Sequence, residues 1–213
     1  MTDTTNLLVG VAMGLNLIAL SSSRLPSLIR VAAAQGVVLG VMPLTIEHNA
    51  GWLVAGLAAG TVLVKGLLIP FLLRRAMRSA NIERDLEPII GYVPSLLLGA
   101  AGAVGAVALS RWLPLLPEHR HSLLVAGSAA SMFTGFLLLI GRTKAISQVC
   151  GYLVLENGIY LFGLLLIQSM PLLVEGGILL DLIVAVFVTG IIMDRIQRAF
   201  DTLDTRKLTA LRE

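Results

Sequence analysis

Charge is scarce in this chain. Asp, Glu, Lys and Arg make up 14% of its 213 residues, against 56% hydrophobic residues, and the mean hydropathy is +0.88. That balance excludes an ordinary soluble domain, where charged residues run to about 25%, and points to an integral membrane protein. Cysteine is nearly absent: Cys150 stands alone, which excludes an intrachain disulfide and any haem or iron–sulfur attachment motif. The polar/apolar alternation of a membrane β-strand is missing as well, because the apolar residues run continuously, so the expected spans are helices. No basic segment opens the chain. Asp3 precedes the first apolar run, no Lys or Arg accompanies it, and no clear small-residue cleavage site follows, so the first span is expected to stay in place of a cleaved signal peptide. His48, His119 and His121 fall in short loops, and Glu118-His119-Arg120-His121 reads as solvated loop before it reads as a metal site. No metal, cofactor or nucleic-acid partner is expected.

What is present is a series of apolar runs. Seven candidate spans cover residues 6–21, 25–44, 51–73, 89–109, 123–140, 145–167 and 172–193, most of them near the ~20 residues a helix needs to cross the hydrocarbon core. The fold class is therefore an all-α polytopic bundle. Arg24 and Arg30, then Arg74, Arg75, Arg78 and Arg84, then Arg142 and Lys144, and five basic residues of the tail fall on one side; Arg111 and Arg120 fall on the other. Basic residues collect on the cytoplasmic side, which puts the C-terminus in the cytoplasm and the N-terminus outside, in a cytoplasmic (inner) membrane. Sliding the two halves over each other by about 116 residues lays Leu7-Leu8-Val9 on Leu123-Leu124-Val125 and Lys65 on Asp181. This suggests parallel three-helix units, as in membrane transport proteins: 1–88 with its loop, 89–121 as connector, 122–194 as the second unit, and 195–213 as a cytoplasmic tail. In the connector span, Gly91, Gly99, Gly102 and Gly105 suggest close helix approach. The tail spaces Ile196, Phe200, Leu203 and Leu211 as an amphipathic helix.

Three ionisable residues break the apolar runs, and such residues mark ion or proton paths by default, since a charge at the bilayer centre costs about 2.5–3.5 kcal/mol. Glu156 lies twelve residues beyond Lys144 and as far from Gln168, close to the midplane at 1.5 Å of rise per residue. Tyr152, Tyr160 and Gly163 share its face and Asn157 lies beside it, so two phenols and an amide can hydrogen-bond its carboxyl or hold water, while Gly163 leaves room. Asp181 has Gly177, Ala185 and Thr189 along its face, which suggests that it points into the bundle; a register shifted by a turn after Pro171 would leave it nearer the outer surface. Lys65 precedes Pro70 by five residues; the proline cannot donate to the carbonyl of Gly66, so a bend is expected beside the lysine. Snorkelling to the level of Arg74 would span roughly 13 Å, about twice the reach of a lysine side chain, so Lys65 is read as interior. Gln35 and Asn16 are weaker polar candidates, explained by interhelical hydrogen bonding.

Gly151-Tyr152-Leu153-Val154-Leu155-Glu156-Asn157-Gly158 resembles the middle helix of the small K-type subunit of respiratory complex I, with pattern Gly-x-Glu-x-x-x-Asn. Gly151 and Asn157 match it; its glutamate position is Leu153 here, and the acid lies about one turn on, at Glu156. Asp181 falls in the following helix, where that subunit carries its second carboxylate. Over nearly its whole length the chain resembles component E of hydrogenase-4, through Lys65-Gly66-Leu67-Leu68-Ile69-Pro70 with Arg74-Arg75, and Leu155-Glu156-Asn157-Gly158-Ile159. The resemblance implies a non-catalytic subunit beside antiporter-like subunits, whose carboxylates help couple a redox reaction to proton or sodium translocation. Glu156, Asp181 and Lys65 are then the expected relay, with Asn157, Tyr152, Tyr160 and Gln35 supporting. A free-standing small-solute or ion transporter, and an assembly scaffold with buried struts, are the alternatives.

Overall fold

The computed structural model describes residues 3–46, 51–80, 88–113, 123–166, 170, 174, 176–181, 183–184, 186–187 and 190–191. Among these the chain is helical and has no β-sheet. In order come α1 (Asp3–Ser21), α2 (Leu25–Ile46), α3 (Trp52–Thr61), a π-helical segment (Val62–Leu68), α4 (Ile69–Ala80), α5 (Tyr92–Trp112), α6 (Leu124–Gly141), α7 (Ala145–Gly163) and a 3-10 turn (Leu164–Leu166). Six helices among the described residues are long and apolar enough to cross a membrane, with α3, the π-segment and most of α4 forming one span, Trp52–Arg78. Of the seventh expected span, the described residues are helical, 176–181 being the longest stretch. The histidine loops and the tail from 195 lie outside the described residues.

Turns follow local chemistry. Ser22 donates its N–H to the carbonyl of Ala19 at 3.2 Å, and Pro26 then sits in the first turn of α2, where a missing N–H costs nothing. The turn between α6 and α7 is fastened by Arg142, counted above among the loop charges. Arg142 is in fact buried, at 1% exposure. Its Nη2 donates to the carbonyl of Leu20 at 2.6 Å, capping the end of α1, and its guanidinium lies 4.3 Å from the ring centre of Tyr92.

Close backbone approach occurs mainly between α6 and α7. A Cβ added at Gly158 would lie 2.6 Å from Met132 N and 2.9 Å from Ser128 O, and one at Gly151 would lie 2.8 Å from Leu138 Cβ; one at Gly135 would run into the backbone of Leu155. The connector helix α5 behaves otherwise. Gly99 and Gly102 receive the side chains of Leu20 and Phe133, while Gly105 faces open space. Gly99 and Gly102 thus make room for side chains of α1 and α6, the two helices against which α5 packs.

Two apolar clusters fill the interior. One contains Leu20, Leu25, Ile29, Leu73, Leu138 and Val154; the other contains Val9, Leu39, Met42, Leu124, Leu161 and Ile178. Along α2, Gln35 falls between Ile29 and Leu39; along α7, Glu156 and Asn157 fall between Val154 and Leu161. The polar residues thus form a belt between two dry regions.

The expected bend at Pro70 takes a different form. The chain widens into seven residues of π-helix, with the N–H of Ile69 reaching back to the carbonyl of Val64, and Pro70 opens α4 in the first turn, where it is tolerated. Space for the wide turn comes from glycine. A Cβ at Gly36 would lie 2.7 Å from Lys65 Cβ, one at Gly40 would lie 2.7 Å from Val62 Cγ2, and one at Gly66 would lie 2.6 Å from Val37 Cγ2. The Gly36-x-x-x-Gly40 stripe of α2 therefore seats the π-segment and the lysine on it.

Candidate functional site

The three membrane charges meet. Lys65 Nζ lies 2.7 Å from Asp181 Oδ2 and 3.3 Å from Glu156 Oε1. Five elements set this geometry. The π-segment turns Lys65 inward over Gly36 of α2, α7 is held against α6 by glycine so that Glu156 and Asn157 face the interior, and the helical stretch 176–181 supplies Asp181. The Lys65 and Glu156 side chains are 4% and 5% exposed, whereas Asp181 is 21% exposed. Asp181 is thus the edge of the cluster and Glu156 its floor.

A third oxygen completes the lysine's surroundings. Nζ donates to Asn157 Oδ1 at 3.3 Å. An ammonium can only donate, so the carbonyl oxygen of Asn157 must face it, leaving the amide nitrogen to point away. That nitrogen donates to Gln35 Oε1 at 3.3 Å, Gln35 Nε2 donates to Asn16 Oδ1 at 2.9 Å, and Asn16 Nδ2 donates to Ser131 Oγ at 2.9 Å. Three amides run head to tail across α7, α2, α1 and α6, every carbonyl on the lysine side. The aligned dipoles favour a positive charge at Lys65. Removing the middle link strands Asn157 Nδ2 and Asn16 Oδ1, each buried, at about 1–3 kcal/mol apiece. Gln35→Leu is accordingly expected to destabilise the protein by about 3 kcal/mol in a denaturant titration in mixed micelles. The double variant with Asn16→Leu should cost clearly less than the sum of the single ones, and strict additivity would dissolve the chain as a unit.

The phenols do not hydrogen-bond the Glu156 carboxyl. Neither oxygen of Glu156 accepts a hydrogen bond of good geometry, so Lys65 is its counter-ion without help from a tyrosine hydroxyl. Tyr160 contributes its face, with Lys65 Nζ 5.5 Å from the ring centre. Tyr152 is half-buried and packs on the apolar cluster at the Leu25 end.

Among the described residues no group of three or more His, Cys, Asp or Glu side chains could hold a metal ion. What the cluster can hold is a proton or a positive charge beside two carboxylates.

No family model matches the chain, and no solved structure matches it. Curated relatives do. The chain is 32% identical over 192 residues to the uncharacterized protein Rv0085 of Mycobacterium tuberculosis, covering 89% of this chain and 87% of that protein. It is 30% identical over 159 residues to hydrogenase-4 component E of Escherichia coli K12, covering 73% of this chain and 72% of that protein. The chain belongs to the hydrogenase-4 component E family. The Shigella flexneri component E matches at the same identity over the same length. Family membership agrees with six described helices long enough to span a bilayer, and the chain is a multi-pass membrane protein. For this component E relative, sequence reasoning missed Ser131, the end of the amide chain, and the Gly36-Gly40 seat of Lys65. The glycine spacing was a readable signal; a serine in an apolar helix was not.

Proposed function

We propose that the chain is a non-catalytic membrane subunit of a hydrogenase-like or complex I-like assembly in the cytoplasmic membrane of a bacterium or archaeon. Its N-terminus lies outside and its C-terminus in the cytoplasm, and its carboxylates serve proton (or sodium) translocation coupled to redox chemistry in other subunits, antiporter-like ones among its neighbours. The name of the Escherichia coli relative supports the assembly. Glu156 is the central relay, with Asp181 and Lys65 as coupling charges and Asn157, Gln35, Tyr152 and Tyr160 supporting them.

One observation carries this reading: a single ammonium is held between two carboxylates, Asp181 at 2.7 Å and Glu156 at 3.3 Å. With all three ionised the cluster has one excess negative charge where unbalanced charge is costly, and one proton neutralises it. The cluster therefore has two states that differ by one proton. Lys65 sits between both acids, so a proton arriving at one of them shifts its attraction towards the other. The three-helix units belong to the same proposal. Their support is that α1 lies against α6 and α2 against α7, while Lys65 meets Asp181, the residue it aligns with.

Glu156→Gln tests the relay. Glutamine is nearly isosteric and keeps an oxygen for Lys65, so the variant is expected to assemble with its copurifying partners while ion movement in inverted vesicles, driven by the complex's redox reaction, falls about tenfold or more. Wild-type ion movement in an assembled Glu156→Gln complex would end the relay role.

A further inference from the structure

A cavity of about 320 Å³ opens beside the cluster, between α7 and the helical stretch that carries Asp181. Its walls include Tyr160 and Gly163 from one side and Gly177, Ile178, Asp181 and Val184 from the other. Among the described residues the lining is almost entirely carbon, with Asp181 its one carboxylate. Among the described residues nothing lies within 4 Å of a Cβ placed at Gly163 or Gly177, so neither glycine fills the space.

We infer that this cleft binds an amphiphilic organic cation, an alkyl- or arylammonium whose charged end meets Asp181 and whose apolar body lies along the walls. The inference stands on the same cluster as the relay proposed above, in its fully ionised state, which carries one excess negative charge. Asp181 is part exposed while Glu156 and Lys65 are closed off, so a positive group entering from the side meets this carboxylate first. An ammonium supplies the charge that this ionised state is short of. A bare metal cation fits less well, because carbon walls offer few oxygens to replace its hydration shell. An anion would face a carboxylate. The volume is at the small end of ligand pockets, which run to about 300–1,000 Å³ and combine apolar walls with a few polar groups, and it suits a body of one ring or a short chain.

Benzylammonium and its neutral analogue benzyl alcohol are suitable probes, titrated calorimetrically into the purified full chain in lipid nanodiscs. Saturable binding of benzylammonium is expected, with the alcohol weaker by about tenfold or more. Asp181→Asn should weaken the amine by a similar factor while leaving the alcohol unchanged. Gly177→Leu and Gly163→Leu, which fill the cleft from opposite walls, should each remove amine binding, and one well-folded variant of the pair suffices. Equal binding of amine and alcohol, amine binding that survives Asp181→Asn, or no binding to the wild-type chain would each overturn the site. The readout is equilibrium binding to the resting protein. A working cleft with a failed relay, or the reverse, would therefore separate the two proposals.

Discussion

Replacing Lys65 with methionine is expected to destabilise the protein by about 3–5 kcal/mol, the usual cost of removing one partner from a buried ion pair. Methionine nearly matches the lysine stem in volume, so packing alone accounts for less than about 1.5 kcal/mol. The remainder is electrostatic. Glu156 and Asp181 would be left beside each other without the ammonium that now lies 3.3 Å and 2.7 Å from them. The amide chain would lose its anchor too, because Asn157 Oδ1 accepts from Nζ. The decisive comparison adds Glu156→Gln and Asp181→Asn to the methionine variant. If unbalanced charge is the cause, the triple variant should recover most of the loss in a mixed-micelle unfolding titration. A triple variant as unstable as the single one would assign the loss to packing and remove the electrostatic account of the cluster.

The second large effect is steric. Leucine at Gly158 would put a Cβ 2.6 Å from the backbone nitrogen of Met132 and 2.9 Å from the carbonyl oxygen of Ser128. Neither atom can swing aside as a side-chain end could, so α7 has to withdraw from α6. Glu156 and Asn157 sit within two residues of that contact and would move with it. A loss of about 3 kcal/mol, at the upper end of overpacking costs, is expected. Gly14→Leu serves as control: it also places leucine on a helix, but nothing lies within 4 Å of its Cβ. Similar thermal stability for the two variants would show that the α6–α7 approach is not needed to hold the site.

Burial of the Lys65 and Glu156 charges was legible in the sequence because it is nearly a matter of counting. Lys65 lies too far from Arg74 to reach out, and Glu156 lies midway between polar ends; both are buried together. Asn16 and Gln35 were readable as interhelical hydrogen-bonding residues, and they bond each other at 2.9 Å. Their neighbours were not readable. Which helix stands beside which is decided by packing over the whole bundle, so Ser131 and Asn157 could not be attached to them from periodicity. The same limit holds for the tyrosines. A helical wheel gives the direction of Tyr152 and Tyr160 from the axis but not their partners: Tyr160 turns its ring face to Lys65, and Tyr152 packs on an apolar cluster. At Pro70 the sequence located the irregularity correctly. Its form depended on Gly36 and Gly40 in another helix, which leave room for a wider turn in place of a bend.

That wider turn bears on how relatives are compared. A π-segment arises when one residue is added to an α-helix whose ends stay where they are. The added residue advances the helical phase by about 100°, since an α-helix turns once in 3.6 residues. A one-residue gap within 62–68 between two family members is therefore a change of winding that leaves the fold intact. The member without the extra residue would keep its span and its flanking sequence, but its lysine would project from a different side of the helix. Across relatives, the aligned lysine and the length of this short stretch together would report whether the paired-acid cluster is retained.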